Sequence, residues 1–351
     1  MKGSGSTATP WTSRASLSVL GAGSAFPGEA ISSEDLIDLI HTRFPVECRQ
    51  EARAVAKRMA IETRHVCRAF LQPVESAREG QGNADLAARA VEAALADAGL
   101  AIGDIGYLIG HTTTPEQPLP SNIAHAADRL GYCGPHVELR QACTGFANAL
   151  MIATGLLNAP GARPIVIVGS ETGSLFFNPH RLAQDRGQIV NLMQMGDGAG
   201  AVVLGPVGAA RATVKAMWFG SIGLGRAPGI QQLPGRQEFD HDFAGILQSG
   251  PLLFDADIAA AGSLGWRAEQ ADFIVPHQVS GRVRKQAASH LGLPAERIFV
   301  NADRIGNTGS AAIWLALAEL RRAGLAPGAR VLALGAEASK YLYGGFGYVH
   351  G

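Results

Sequence analysis

One sulfur, one imidazole and one carboxamide stand at three distant junctions of this chain. Cys143 lies in Gln141-Ala142-Cys143-Thr144-Gly145-Phe146-Ala147-Asn148-Ala149-Leu150, where a polar approach turns into an apolar run. His277 lies in Pro276-His277-Gln278, directly after the apolar stretch Phe273–Val275. Asn307 lies in Gly306-Asn307-Thr308-Gly309-Ser310-Ala311-Ala312. A cysteine that opens a buried helix meets unpaired backbone N–H groups and the positive end of the helix dipole. Both favour thiolate, the nucleophilic form, and the backbone N–H of Cys143 is itself a donor for an oxyanion. An isolated cysteine is more often a passive buried thiol; the downstream histidine and asparagine turn the reading toward a nucleophile. The proline before His277 enforces an extended approach. It places the ring at the carboxyl end of a strand, the edge where α/β proteins bind ligands. Asn307 reads equally well as a site residue or as the cap of a helix beginning near Ser310.

Two glycine motifs accompany these residues. Gly196-Asp197-Gly198-Ala199-Gly200-Ala201 runs into Val202-Val203-Leu204. It lacks the strand-then-helix order of a dinucleotide fingerprint, so NAD binding of that kind is excluded. Gly344-Gly345-Phe346-Gly347 either offers the Gly344 N–H to a substrate carbonyl or makes a tight turn before a last strand. The four cysteines, Cys48, Cys67, Cys133 and Cys143, include no CxxC pair and no zinc spacing. This usage fits a reducing, cytoplasmic compartment, with Cys48, Cys67 and Cys133 as passive thiols.

The elements that must position these groups follow from pattern. With 351 residues, 47% hydrophobic and only 17% charged, the chain suits one large α/β unit or two packed halves with a large core. Zero formal net charge argues against bulk electrostatic binding to nucleic acid or a membrane surface. No apolar run approaches the roughly 20 residues of a membrane helix. Residues 1–15 read as a flexible Gly/Ser/Thr-rich tail without the apolar stretch of a secretory signal. Strands are expected at Leu17–Gly21, Tyr107–Gly110, Pro164–Gly169, Ala199–Leu204, Phe273–Pro276, Ile298–Asn301 and Val331–Gly335. Helices are expected at Asn83–Ala98, Ser121–Leu130, Thr144–Leu157, Val283–Leu291 and Ser310–Ala323. That alternation predicts mostly parallel sheets with helices on both faces. Pro164–Glu171 and Arg330–Glu337 echo each other, each ending in Gly-small-Glu. Either the chain is duplicated, with a boundary near 206–215, or two buried strands simply look alike. Residues 206–260 are the least regular part and read as a substrate-lining loop or mobile cover.

Taken together, these motifs resemble the β-ketoacyl-acyl-carrier-protein synthase III family of thiolase-fold condensing enzymes. The resemblance runs from about residue 17 and includes Gly21-Ala22-Gly23-Ser24, Ile61-Glu62-Thr63-Arg64-His65, Pro120-Ser121, Ala142-Cys143-Thr144-Gly145-Phe146, Pro276-His277-Gln278, Gly306-Asn307-Thr308 and Gly344-Gly345-Phe346. It implies a duplicated, five-layered α-β-α-β-α thiolase-like fold, with halves at 16–205 and 206–351, and a homodimer. It implies Cys143 as the acyl-accepting nucleophile, with His277 and Asn307 hydrogen-bonding the thioester oxygen of a malonyl unit as CO₂ leaves. The backbone N–H groups of Cys143 and Gly344 become the oxyanion hole. Acyl-CoA or acyl-carrier protein and a malonyl thioester are the implied substrates, with no metal or redox cofactor. Arg58 matches a position near the nucleotide end of coenzyme A. Arg282, with Arg284 and Lys285, matches the surface that docks the acidic carrier protein; a solvated helix face is the plainer alternative.

Departures from the family put the substrate in question more than the chemistry. No tryptophan to stack on adenine stands near Phe44, and Ser280 replaces the usual asparagine after Pro-His-Gln. The stretch Phe176–Met195 is longer than usual. Leu119 stands where a residue from a partner subunit shapes the acyl pocket, and it is grouped with Arg58 and Thr112 as substrate-side. A hydroxymethylglutaryl-type synthase would need Glu at Thr112, a head-to-head condensing relative Glu at Leu119, and a degradative thiolase a second cysteine after Cys143. A specialised acyl chain in fatty-acid or polyketide-type biosynthesis is the expected substrate. Acyl transfer to a hydroxyl, amine or carrier thiol without a new C–C bond is the alternative.

Overall fold

The computed structural model describes residues 9–44, 46–70, 76–232 and 235–351. These form, in chain order, β1 (Trp11–Ala25), β2 (Ile31–Ser32), α1 (Ser33–Arg43), α2 (Arg49–Met59), β3 (Thr63–Arg64), α3 (Asn83–Ala98), β4 (Tyr107–His111), α4 (Asn122–Leu130), β5 (His136–Leu139), α5 (Gly145–Leu157), β6 (Ile165–Thr172) and α6 (Arg186–Gln194). There follow β7 (Asp197–Gly205), β8 (Thr213–Ser221), β9 (Ile230–Gln232), β10 (Phe239–His241), α7 (Phe243–Ser263), β11 (Phe273–Pro276), α8 (Val283–Leu291), α9 (Ala302–Ile305), α10 (Ala312–Arg322), β12 (Arg330–Glu337) and β13 (Leu342–Val349).

Nine strands hydrogen-bond in the order β11-β12-β13-β8-β1-β7-β6-β4-β5. Read outward from the β1–β8 seam, the two arms match. One runs β1, β7, β6, β4, β5; the other runs β8, β13, β12, β11 and then a parallel bridge from Ile274 to Ile298. The expected strand Ile298–Asn301 is thus reduced to that one bridge. Its backbone is diverted, because Asn301 N–H donates to the side chain of Gln278. The sheet is also mixed, not mostly parallel. Only β4–β5, β4–β6 and β11–β12 are parallel pairs. The strands β7 and β13 return antiparallel to β6 and β12, β7 after the segment that carries α6 and β13 after a short turn.

Strand periodicity sorts the core into layers. In β6, Ile165 and Ile167 pack with Phe146 and Leu150 of α5, while Val166 and Val168 pack with α3 and α4. In β12, Val331 and Ala333 join the α5 cluster together with Ile313 and Leu317 of α10, while Leu332 and Leu334 face α7 and α8. Helices α5 and α10 are therefore a shared central layer between two sheet arms, with α3/α4 outside one arm and α7/α8 outside the other. This is the five-layered α-β-α-β-α thiolase fold. At Gly23 a Cβ would collide with the backbone of Ala94, so β1 needs glycine for α3 to lie this close.

Two expectations are corrected. Trp11–Ala15 is not tail but the start of β1, where Trp11, Thr12 and Ser13 pair with Phe219, Trp218 and Met217; residues 1–8 lie outside the described residues. The segment 206–260 is largely regular: β8 enters the central sheet and α7 spans 21 residues despite Pro251. The segment 176–195 carries α6. Phe177, Leu182, Ile189, Leu192 and Met193 from it pack with α1 and α2.

Candidate active site

Cys143 occupies the turn between β5 and α5, held by a hydrogen bond from Gly145 N–H to the Ala142 carbonyl (2.9 Å). It is half-buried and its thiol is free. The thiol titrates well above its ordinary value. Burial is the largest cause, followed by the charges of Glu337 and Glu171; only its own backbone N–H opposes them. Burial and the two carboxylates act in the opposite sense to the helix-end effect that favours thiolate.

Those carboxylates were visible only as the repeated Gly-small-Glu. Glu337, at the end of β12, accepts from the Thr144 N–H (3.1 Å) and hydroxyl (2.7 Å). Glu171, in β6, accepts from the Ser310 N–H (3.3 Å) and hydroxyl (2.5 Å), from the Thr113 N–H and hydroxyl, and from the Thr114 hydroxyl. Burial pushes the Glu171 carboxyl up against the opposing effect of these donors. The Ser310 hydroxyl also lies 3.2 Å from the carbonyl of Gln141. The segment Gly306–Ala311 is thereby stapled to the turn that carries Cys143.

Asn307 is part of that segment. Gly306, at φ +72°, makes the turn before it. Asn307 N–H donates to the Gln194 carbonyl (2.8 Å), and its own carbonyl accepts from Gly196 N–H (3.1 Å). Its Oδ1 accepts from Gly309 N–H (3.1 Å). That bond closes a local turn and does not make Asn307 the helix cap: the short 3-10 turn Gly309–Ala311 has Thr308 at its N-cap and α10 has Ala311, neither with a side-chain cap bond. The amide nitrogen remains a donor for a ligand. His277 leaves the end of β11 half-buried. Burial pulls its imidazole down to about 4, so the ring is neutral near pH 7. Its buried Nδ1 has no hydrogen-bond partner among the described residues. Gln278 beside it accepts from the N–H groups of Asn301 (2.7 Å) and Ala302 (3.1 Å). His277 is thus anchored to the start of α9, which leads straight into Gly306 and Asn307. Gly344 lies in β13 against α5: a Cβ there would sit 2.7 Å from the Cβ of Ala147.

The arrangement has relatives. The chain is 30% identical over 308 residues to the β-ketoacyl-[acyl-carrier-protein] synthase III of Neisseria gonorrhoeae, covering 85% of this chain and 88% of that one. The chain belongs to the β-ketoacyl-acyl-carrier-protein synthase III family. Family profiles for 3-oxoacyl-[acyl-carrier-protein (ACP)] synthase III match residues 137–223, which hold Cys143, and its C-terminal counterpart matches 262–340, which hold His277 and Asn307. A Streptomyces coelicolor synthase III is 35% identical over 278 residues, covering 73% of this chain and 79% of that one. A solved structure titled AbyA1, a tetronic acid condensing enzyme, has a TM-score of 0.82 at 28% identity, covering 95% of this chain and all of that one. The protein is an acyltransferase, a condensing enzyme of synthase III type.

The remaining candidate positions of this synthase fall in two groups. Arg58, exposed in the last turn of α2, meets the α8 segment. Gly281 N–H donates to the Met59 carbonyl (3.0 Å), and the Arg282 guanidinium donates to the Lys57 carbonyl (3.3 Å). Arg58, Arg282, Arg284 and Lys285 are all exposed, Arg282 beside the end of α2 and Arg284 tied to the Val300 carbonyl (2.6 Å). Thr112 and Leu119 are placed differently. Thr112 is buried, its hydroxyl accepting from Asn83 Nδ2 (3.0 Å) and Thr114 N–H (3.1 Å), so it supports the Glu171 loop. Leu119 is 84% exposed, next to a cis bond to Pro120. Among the described residues no group of three His, Cys, Asp or Glu is disposed to hold a metal ion, and no helix is long and apolar enough to cross a membrane.

Proposed function

We propose that Cys143 accepts an acyl group from an acyl thioester and passes it to the enolate of a malonyl unit. In the first half-reaction the sulfur attacks the thioester carbonyl, the donor thiol leaves with a proton, and a neutral acyl-Cys143 results. In the second, the C–C bond to the malonyl carboxylate breaks and CO₂ departs. The electron pair moves to the thioester oxygen as an enolate, which receives hydrogen bonds from His277 and the Asn307 amide. The enolate carbon then attacks the acyl-Cys143 carbonyl, and the sulfur leaves. Donors fixed before the charge develops are the largest source of such stabilisation. A neutral imidazole and a carboxamide supply them without an unpaired buried charge. Splitting the transfer into two steps predicts ping-pong kinetics. The N–H groups of Cys143 and Gly344 serve the acyl carbonyl oxygen, and no metal or redox group takes part.

One observation carries this reading: the Cys143 turn, the His277 junction and the Asn307 loop are tied into one scaffold through Glu171, Ser310, Gln141 and Gln278. The likeness to a tetronic acid condensing enzyme favours a specialised acyl substrate. The malonyl unit comes on an acidic carrier protein docked at Arg282, Arg284 and Lys285, with Arg58 meeting coenzyme A. The mirrored sheet arms support halves meeting near 206–215. The edge strand β5 leaves one side open for a second copy, consistent with a homodimer working in the cytoplasm. The test is intact mass after incubation with a panel of acyl-CoAs, followed by malonyl thioester. An adduct absent from Cys143→Ala, then release of CO₂ and a β-keto product, is expected. Labelling without CO₂ release or product would favour simple acyl transfer, and no labelling by any donor would defeat both.

A further inference from the structure

Two turns meet where β8 and β12 end. One covers residues 222–229 after β8, and the other covers 338–341 between β12 and β13. Their backbones are laced together. Ile222 N–H donates to the Tyr341 carbonyl (2.9 Å), Gly229 N–H donates to the Ala338 carbonyl (3.0 Å), and a Cβ at Gly223 would overlap the Lys340 carbonyl. The second turn leaves β12 directly after Glu337, whose carboxylate holds Thr144, the residue that follows Cys143. Two cations are fixed here. The Arg226 guanidinium lies 4.1 Å from the centre of the Tyr341 ring, and its Nη2 donates to Ser249 Oγ of α7 (2.6 Å). Lys340 Nζ donates to the Arg226 carbonyl (2.5 Å). Arg226 is half-buried and Lys340 is exposed. Among the described residues neither forms an ion pair, and the remaining guanidinium N–H groups of Arg226 have no hydrogen-bond partner. The carboxylates of the adjoining elements are engaged elsewhere: Asp242 Oδ1 accepts from Gly245 N–H (2.9 Å), and Glu337 accepts from Thr144 and Ser339.

We propose that Arg226, backed by Lys340, is the subsite for a carboxylate carried on the acyl group, so that the enzyme takes an acyl chain with an acidic end in preference to a methyl end. A half-buried cation without a counter-ion is costly to keep. Stacking on Tyr341 presets the flat guanidinium, whose free N–H groups match the two oxygens of a carboxylate. A tack that merely holds α7 accounts for less. The Ser249 hydroxyl already donates to the Gly245 carbonyl (2.6 Å) and needs no arginine, and a tack has no use for the second positive charge of Lys340. The malonyl carboxylate is not this anion, because its place is with His277 after β11. In the order β11-β12-β13-β8 the Arg226 turn is three strand spacings from that junction, roughly 14 Å at the usual separation of neighbouring strands. The same spacing sets Arg226 apart from α8 and its basic residues.

This inference rests on Cys143 being the acyl acceptor, but its test measures binding without transfer. Calorimetry on Cys143→Ala follows succinyl-, glutaryl-, adipyl- and pimeloyl-CoA, each against the methyl-ended acyl-CoA of the same carbon number. At least one acid should bind about tenfold more tightly than its methyl-ended partner, the scale of a charge-assisted, bidentate pair. Adding Arg226→Gln should bring that ratio close to one, and adding Lys340→Gln should lower it about twofold, as for an exposed charge. A merely structural role would lower the melting temperature and weaken both members of a pair alike, leaving the ratio in place. A phosphate of coenzyme A as the occupant would also weaken both alike. Either result, or no preference for the acid in any of the four pairs, overturns the proposal. If Arg226→Gln does not fold, the first ratio and Lys340→Gln decide. Failure of any acyl-CoA to label wild-type Cys143, read separately by intact mass, would instead strike the nucleophile assignment.

Discussion

Glu337 takes both hydrogen bonds that Thr144 can donate, across the boundary between the two sheet arms. Glu171 does the same to Ser310 in the opposite direction. Each buried strand thus ends in a carboxylate that closes the start of the other arm's central helix segment. The echo between Gly169-Ser170-Glu171 and Gly335-Ala336-Glu337 has this crossing as its physical content. Both carboxylates also act in the same direction as burial on the Cys143 thiol, so the device that joins the arms reaches the candidate site.

Removing one arm of this crossing should cost stability without changing the fold. Ser310→Ala deletes a hydroxyl donor to a buried carboxylate and leaves Glu171 with its threonine donors. A hydrogen bond to a charged group is worth about 1.5–3 kcal/mol. The urea midpoint should fall accordingly with an unchanged slope. A loss below about 0.5 kcal/mol would mean that the crossing carries little of the stability.

For His277→Ala, acylation of Cys143 should survive while malonyl decarboxylation drops about 10²- to 10³-fold, the usual scale for losing one oxyanion donor. Because the imidazole already titrates at about 4 in the folded protein, the wild-type decarboxylation rate should show no inflection from this group near pH 6.5. Stopped-time CO₂ release against pH reads this directly. Equal loss of acylation and decarboxylation would contradict the assigned role.

How far residues alone led is clearest at particular elements. Helices α3 and α8 read to the residue, because Gly99 and Gly292 stop them in the left-handed conformation that glycine adopts most cheaply. The nucleophile, histidine and asparagine stood out for a similar reason, each marking a junction between an apolar run and a turn. Strand β8 and helix α7 stayed hidden because Gly220 and Pro251 punctuate them, and packing of β8 against β1 and β13 and of α7 against β12 and β13 decides the outcome. The roles of Glu171, Glu337 and Gln278 needed three dimensions. Their partners lie 139, 193 and 23 residues away, a separation on which local pattern is silent. The effect of the two carboxylates on the Cys143 thiol was missed for the same reason.

Acid sensitivity should trace to His111. Burial holds its ring neutral down to about 3, whereas in the unfolded chain it binds a proton below about 6.5. Between those values the unfolded state carries more protons, so stability rises with pH and is lost as pH falls below 6.5. His111→Gln keeps an acceptor for Trp314 Nε1, which donates to His111 Nε2 at 3.1 Å. The variant should flatten the decline in urea midpoint between pH 7 and pH 4.5. A slope identical to wild type would assign acid sensitivity to other groups.

The basic residues where α2 meets α8 make a prediction that separates partner docking from chemistry. Arg282 is exposed and spends one guanidinium N–H on the Lys57 carbonyl, leaving its charge available to an acidic helix. Charge reversal there sets repulsion against attraction in a solvent-screened setting, where single exposed pairs are worth up to about 1 kcal/mol. Arg282→Glu should therefore raise KM for a carrier-bound malonyl substrate by roughly five- to tenfold at low ionic strength, with kcat nearly unchanged. The effect should shrink as salt shortens the screening length to about 10 Å at 0.1 M. With Cys143 acylated in a separate step, as proposed, the labelling rate with an acyl-CoA should stay within about twofold of wild type. A matching, salt-independent loss with both substrates would show instead that the substitution disturbs the Lys57–Met59 contact and, through it, the packing of α2.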